Sequence, residues 1–498
     1  MCRHLKELKI ILYCFIISFL FLMICSKSSF LYPLNVWADA NCFFTVGKGM
    51  FKGKVLYASL FDQKGPFLFF IYGIASLISY KSFLGVFVLE VISFTLFLYF
   101  AYKTLRLYLN ENVSLVMLPI ISFIVLTLKA FTHGGSAEEF AFPMLMYSLY
   151  SLIKFVKNPN LNYNFWFFFI NGFMAGLVLL IKFTLLGFWF AFIFGIFIYF
   201  VWKGKFKEGL LCGLTFLLGM IVPVIPWIIY FEINNALNDF FDSYFLFNIL
   251  YYPNKDGLLY KLFLVFFKPL RFAFLNLSFG IPFGLGIYSM IFEDKIFKDK
   301  FGKILILCSY LFLCLGVFLG GVSFRYYYLI LAPFIIFGLI RLGLLFNFNK
   351  INKFLYFILI VFLLCLSLFV SKNTSMLGQK KEHLVQYEFS EIINKKENAT
   401  LLNYGFLDGG FYTVSGIIPN TKYFQKQNVA YEAFPDIVDS QNELIKNKKV
   451  DFVVTREMPF RRRPRWITPY LKINYKEVSA VYQNYEDKSY CYTLWQKR

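Results

Sequence analysis

Six charged residues stand immediately beside long apolar runs. They are Asp39 in NVWADANCFF, Asp62 and Lys64 in LFDQKGP, Glu138 and Glu139 in HGGSAEEF, and Arg325 in VSFRYYY. Charges at the edge of apolar segments are costly and tend to mark substrate or ion pathways. Lysine and arginine neutralise a phosphate, both in binding and as a leaving group gains charge. A carboxylate beside a hydroxyl takes its proton, a contribution of roughly 10²–10⁴-fold in rate. Tandem glutamates orient an acceptor, or hold a divalent cation together with Asp39. The set suits transfer from a lipid-linked phosphate donor to a hydroxyl. Asp39, Glu138 and Glu139 are the catalytic candidates; Asp62, Lys64 and Arg325 are the substrate-binding ones.

Each residue also has a plainer reading. Asp39 can be a solvated loop carboxylate, Lys64 a snorkelling anchor, and Asp62 a helix N-terminal charge. Glu138 and Glu139 can cap the helix that follows, Arg325 can anchor at the interface, and His133 can be a loop histidine. Glu90, inside an apolar run, suits a hydrogen bond in a helix bundle. The argument for chemistry rests on their joint placement on one side of a membrane.

That placement follows from composition. Of 498 residues, 59% are apolar, 22% aromatic and only 16% charged, against about 25% charged in soluble domains. A soluble enzyme, a disordered chain and a disulfide scaffold are excluded. Unbroken apolar runs exclude a membrane β-barrel as well. What remains is a polytopic α-helical membrane protein. Apolar runs at 10–26, 82–102, 113–131, 139–156, 165–181, 183–201, 209–230, 272–292, 304–321, 328–346 and 354–371 predict eleven transmembrane helices. Basic residues gather in alternate short loops, at Arg3, Lys6 and Lys9, Lys103 and Arg106, Lys154 and Lys157, and Lys203, Lys205 and Lys207. Lys295, Lys298, Lys300, Lys303, Lys350 and Lys353 continue the pattern. The positive-inside rule then places the N-terminus in the cytoplasm and the C-terminus outside.

Residues 66–80 are apolar but reach only about 22 Å as a helix, short of the roughly 30 Å hydrocarbon core. They are expected to lie in the outer interface, so that 27–81 form one external loop. Val36, Ala40, Phe43, Phe44 and Phe51 fall near one helical face in that loop, the pattern of a second interfacial helix. From Lys372 the composition turns mixed and charged, with strand-like ATLLNYGF, VDFVVTRE, KEVSAVYQNY and SYCYTLWQ, the last pair joined by a turn at EDK. The expected domains are thus 1–371, transmembrane, and 372–498, a small extracytoplasmic α/β domain. The net charge of +21 is spread over loops, with 20 basic and 14 acidic residues after position 371. No nucleic-acid partner is expected. None of the nine cysteines stands in a CxxC pair, so the spacing points to no zinc or redox site.

The stretch DANCFFTVGKGMFKGKVLYASLFDQKGPFLFFIYG resembles the first external loop of the GT-C membrane glycosyltransferases. The closest branch holds protein O-mannosyltransferases and the lipid A aminoarabinose transferase. The resemblance covers roughly 10–345 and implies that Asp39 is the base or acceptor-site carboxylate. It implies that Lys64-Gly65-Pro66 stands where the family's Lys-Pro-Pro contacts polyprenyl phosphate. HGGSAEEF stands at the second acidic loop, and GFMAGLVLLIKFTLLG with Lys182 at the fifth-span region. Asp39-Ala40 replaces an Asp-Glu pair, Gly65 replaces a proline, and the second acidic motif is a Glu pair. The implied partners are a polyprenyl-phosphate-linked sugar donor, a cell-envelope acceptor and the bilayer. Richness in Phe, Ile, Lys and Asn suggests a bacterial source, so a bacterial plasma membrane is the expected home, and the carboxylates suggest a divalent cation as the one cofactor. A transporter or flippase of lipid-linked glycans is the alternative. That class tends to place functional charges mid-membrane and to show two related halves, whereas few charges lie mid-span here and no half-repeat is visible.

Overall fold

The computed structural model describes residues 2–157, 163–252, 256–294, 296–297, 299–345, 352–458, 467–485 and 488–498. Lys295, Lys298, Lys350 and the Glu486–Asp487 part of the expected hairpin turn lie outside the described residues. The chain is mostly helical, and a helix coincides with every one of the eleven apolar runs. The helices that position the candidate residues are α1 (Cys2–Cys25), α2 (Ala38–Phe51), α3 (Pro66–Ile78), α4 (Leu84–Leu105), α5 (Glu111–Thr127), α6 (Ala137–Lys157), α7 (Phe165–Lys182) and α8 (Gly187–Trp202).

Six helical stretches among the described residues are long and apolar enough to cross a membrane, or seven if Phe206–Ile221 and Ile225–Ile233, bent by 41°, form one span. One of the six is the 38-residue stretch Phe165–Trp202, which contains two of the predicted spans. Lys182 interrupts it with an extended backbone, φ −161° and ψ 98°. The rings of Phe167 and Phe192 stack 6.1 Å apart, whereas an unbroken helix would separate them by ~37 Å. The stretch therefore folds back on itself, α7 and α8 forming a hairpin with Lys182 at its turn. Helices α5 and Leu277–Phe292 are apolar but only 17 and 16 residues long.

By compactness the chain divides into two units. The first holds 1–26, 89–229 and 254–375; the second holds 27–88, 230–253 and 376–498. The C-terminal portion thus forms one body with residues 27–88 and 230–253. Within the second unit, strands β1 (Leu401–Tyr404), β2 (Phe452–Glu457), β3 (Tyr475–Tyr485) and β4 (Lys488–Lys497) make a sheet of order β1-β2-β4-β3. β1 and β2 are parallel and the other pairs antiparallel. The four strands fall on the four stretches read as strand-like. Leu402, Val453, Tyr475 and Trp495 of the sheet close a core with Ile445, Val450 and Leu471.

In the same unit α2 and α3 touch through glycines. A Cβ on Gly47 would stand 2.6 Å from the Gly73 nitrogen, so only glycine permits this approach. The apolar face of α2 is buried as its periodicity predicts, at Ala40, Phe43 and Phe44. Its polar face is buried too, which the pattern did not foretell. Asn41 accepts from the Thr413 hydroxyl at 2.9 Å, Thr45 donates to Asp408 at 2.7 Å, and Lys48 donates to the Tyr412 carbonyl at 3.1 Å. The C-terminal segment provides every one of those partners.

Candidate functional site

In the first unit the chemistry gathers at the start of α6. Gly134 and Gly135 both take left-handed backbone, φ +98° and +83°, and bend the chain into the helix. Ser136 then caps it: its hydroxyl accepts from the Glu139 N–H at 3.2 Å, while the Glu139 carboxylate accepts from the N–H groups of Ser136 at 3.0 Å and Gly135 at 3.2 Å. This is a reciprocal Ser-x-x-Glu capping box. Glu90 of α4 is a hydrogen-bonding neighbour of the Glu139 side chain. Glu90 is itself held by the Ser26 hydroxyl at 2.9 and 3.1 Å.

Glu138, the adjacent residue, is fully buried and differently occupied. Its Oε1 receives the Lys182 ammonium at 2.7 Å. Its Oε2 is buried without a hydrogen-bond partner among the described residues. Lys182 reaches it from the turn of the α7–α8 hairpin and also lies 3.5 Å from the centre of the Tyr327 ring. An ammonium over an aromatic face gains from the ring quadrupole. Arg325 opens the 3₁₀ segment Arg325–Ile335 that carries Tyr327, and is itself exposed. The first unit thus offers a carboxylate with an unsatisfied oxygen, a lysine and an aromatic hydroxyl residue.

In the second unit the FDQKGP turn is tightly built. Asp62 is buried, and its Oδ1 accepts from the Lys64 N–H at 3.0 Å. Its Oδ2 receives the Cys42 thiol at 3.1 Å and the side-chain amides of Gln427 at 3.2 Å and Gln425 at 3.5 Å. The Lys64 carbonyl accepts from the Tyr57 hydroxyl at 2.6 Å. Gly65 and Pro66 follow as N-cap and first residue of α3, a position that suits proline because its missing N–H is not needed there. Lys64 therefore stands just before a helix N-terminus, where the helix dipole favours an anion.

Asp39 lies in the first turn of α2 and is half-buried. That helix is fixed by the Lys48–Asp408 region. Burial pulls the Lys48 ammonium down to about 7, against the opposing pull of the Asp408 carboxylate. The same burial pushes Asp408 above the usual carboxylate range, although Thr45 and the Gly410 N–H donate to it. His133 is buried in the turn before α6. Among the described residues no three His, Cys, Asp or Glu side chains are grouped to hold a metal ion, and the Glu138 charge is met by Lys182 instead.

Of the six residues read from sequence, Asp39, Asp62 and Lys64 fall in the second unit, and Glu138, Glu139 and Arg325 in the first. The Asp62–Lys64 pairing is direct, through the backbone. Tyr327, Gln425, Gln427 and Tyr57 carried no sequence signal of their own. Tyr57 is marked only by its backbone, a buried aromatic at φ +64°, which no sequence pattern reveals.

A family model described as dolichyl-phosphate-mannose-protein mannosyltransferase matches residues 63–230. The matched segment contains Lys64, Glu138, Glu139 and Lys182; Asp39, Asp62 and Arg325 lie outside it. Among solved structures the chain is similar to ArnT from Cupriavidus metallidurans bound to undecaprenyl phosphate. The two share 12% identity at a TM-score of 0.57, over 98% of this chain and 97% of that one. The apo state of ArnT from that organism gives 11% and 0.58, over 99% and 98%. At such identity the likeness is one of fold. A search of curated protein sequences gives no match.

Proposed function

We propose that this chain is a membrane glycosyltransferase of the GT-C kind, which moves a sugar from a polyprenyl-phosphate carrier to a hydroxyl acceptor on the outer face of a bacterial plasma membrane; the family match and the ArnT-like fold support the reading. The acceptor is a cell-surface glycan, lipid or protein. The observation that carries the reading is the content of the family match: residues 63–230 include a lysine held at a helix N-terminus, Lys64, and a buried glutamate with one unsatisfied oxygen, Glu138.

Asp39 takes the proton of the acceptor hydroxyl. The acceptor oxygen bonds to the anomeric carbon as the bond from that carbon to the phosphate oxygen breaks. The electron pair leaves with the polyprenyl phosphate, and the configuration inverts. Lys64 neutralises the phosphate as its charge grows, with the α3 dipole behind it, and Arg325 is assigned the same sign of help. Glu138 accepts from an acceptor hydroxyl through Oε2 while Lys182 holds Oε1. Glu139 sustains the turn that presents Glu138.

The test is transfer by the purified full-length chain, supplied with polyprenyl-linked sugars from a native lipid extract and followed by release of the lipid phosphate. Asp39→Asn should lower the rate by about 10²–10⁴-fold with normal membrane insertion. Undiminished transfer would remove Asp39 from the chemistry. Glycan movement across vesicles without release of lipid phosphate would favour a flippase.

A further inference from the structure

We propose that Tyr57, beside the turn, and Gln425 and Gln427, in the C-terminal segment 422–427, are positioning residues for Lys64. The inference rests on the reading of Lys64 as a ligand of the donor phosphate.

Three observations converge. The Lys64 main chain is gripped on both sides, its N–H by Asp62 and its carbonyl by the Tyr57 hydroxyl. Tyr57 reaches that carbonyl from φ +64°, a left-handed conformation that strains a bulky residue. Its ring is fully buried against Phe69, Phe231 and Phe240, which hold the strained backbone in place. Strain kept by so many contacts points to a position that matters.

Asp62 is in turn held by the C-terminal segment. The Phe61 N–H donates to the Lys422 carbonyl at 2.9 Å, so 422–427 runs along the turn. Gln427 donates to the Asp62 carboxylate. Gln425 does more: its oxygen accepts from the Asp408 N–H at 2.7 Å, and its nitrogen donates to the Cys42 sulfur at 2.8 Å and toward Asp62. Cys42 lies on α2 one turn beyond Asp39. A single amide thus ties the helix that carries Asp39 to the turn that carries Lys64. A buried carboxylate needs such donors, and without them the Asp62 grip on Lys64 loosens.

The experiment is a titration of the full-length protein in lipid nanodiscs with undecaprenyl phosphate. It compares the wild type, Lys64→Met, Tyr57→Phe, Gln427→Leu, and each of the last two combined with Lys64→Met. If Lys64→Met binds as the wild type does, the reading of Lys64 falls, and the inference falls with it. If Lys64→Met weakens binding, Tyr57→Phe and Gln427→Leu should each weaken it about three- to tenfold, with no further loss in the Lys64→Met background. Equal losses in both backgrounds, or none in either, overturn the positioning role while leaving Lys64 as the ligand. Tyr57→Phe removes one hydroxyl and keeps the ring, so the comparison survives even if Gln427→Leu fails to accumulate.

Discussion

The start of α6 and the FDQKGP turn use one device in two ways. In each a buried carboxylate grips backbone N–H groups and so presents a charged neighbour, Glu138 in the first case and Lys64 in the second. At α6 the grip closes locally, Glu139 on Ser136, three residues apart. At FDQKGP the Asp62 carboxylate takes its further donors from Gln425 and Gln427, 363 and 365 residues on. The backbone N–H bonds of a locally closed turn come from its own residues, so they depend less on distant segments. One closed at long range depends on a distant body that substitutions or acid can loosen.

The largest expected effect tests the α6 side. Glu138→Leu leaves the Lys182 ammonium buried without its carboxylate, which should cost about 3–5 kcal/mol of stability. Adding Lys182→Met should recover most of that loss in thermal unfolding. A double variant no better than the single would mean the pair does not act as a unit.

Gly134→Ala comes next. Its Cβ would stand 2.1 Å from the Ser26 hydroxyl and 2.7 Å from Glu90, at φ +98°. A loss of about 1–3 kcal/mol is expected, and normal stability would show that the turn has slack.

Glu139→Gln should cost about 1 kcal/mol as a weakened cap and leave transfer within a few-fold of the wild type. A transfer loss as deep as that of Glu138→Gln, measured side by side, would assign Glu139 to the chemistry and break the division of labour drawn above.

The last comparison reads a pH slope and probes the C-terminal region that holds Gln425 and Gln427. Burial works to raise the Asp451 carboxyl, but bonds from Lys396 at 2.6 Å and from the Thr400 N–H and hydroxyl outweigh it and depress it from 3.8 to about 2. A depressed folded value means stability that is present above the unfolded value of 3.8 and lost as pH falls toward 2. Unfolding curves from pH 5 to 2 should slope less in Asp451→Asn than in the wild type. Identical slopes would assign the acid sensitivity elsewhere.

Much of this was readable in the chain. The apolar runs located the helices, because a 20-residue stretch without charges has few alternatives to helix in an apolar surround. The alternating stretches after Lys372 located all four strands. Ser-x-x-Glu is a local signal, so the cap at α6 was legible in principle, and the plainer reading of Glu138 and Glu139 as capping residues holds for Glu139. It fails for Glu138, whose partner Lys182 is 44 residues away. The reading of α2 as amphipathic found its apolar face but not the partner of its polar face, since periodicity says which side is polar and not what lies against it.

The sequence by itself determined the helices, the strands, the short α3 and the residues with chemistry to offer. Those depend on composition and on spacings of a few residues. Tertiary structure alone decided how each carboxylate is used. Glu139 caps, Glu138 keeps an oxygen open beside Lys182, and Asp62 becomes the clasp between Lys64 and a segment from the far end of the chain. A buried carboxylate is defined by the donors around it, and those donors come from wherever the fold brings the chain together.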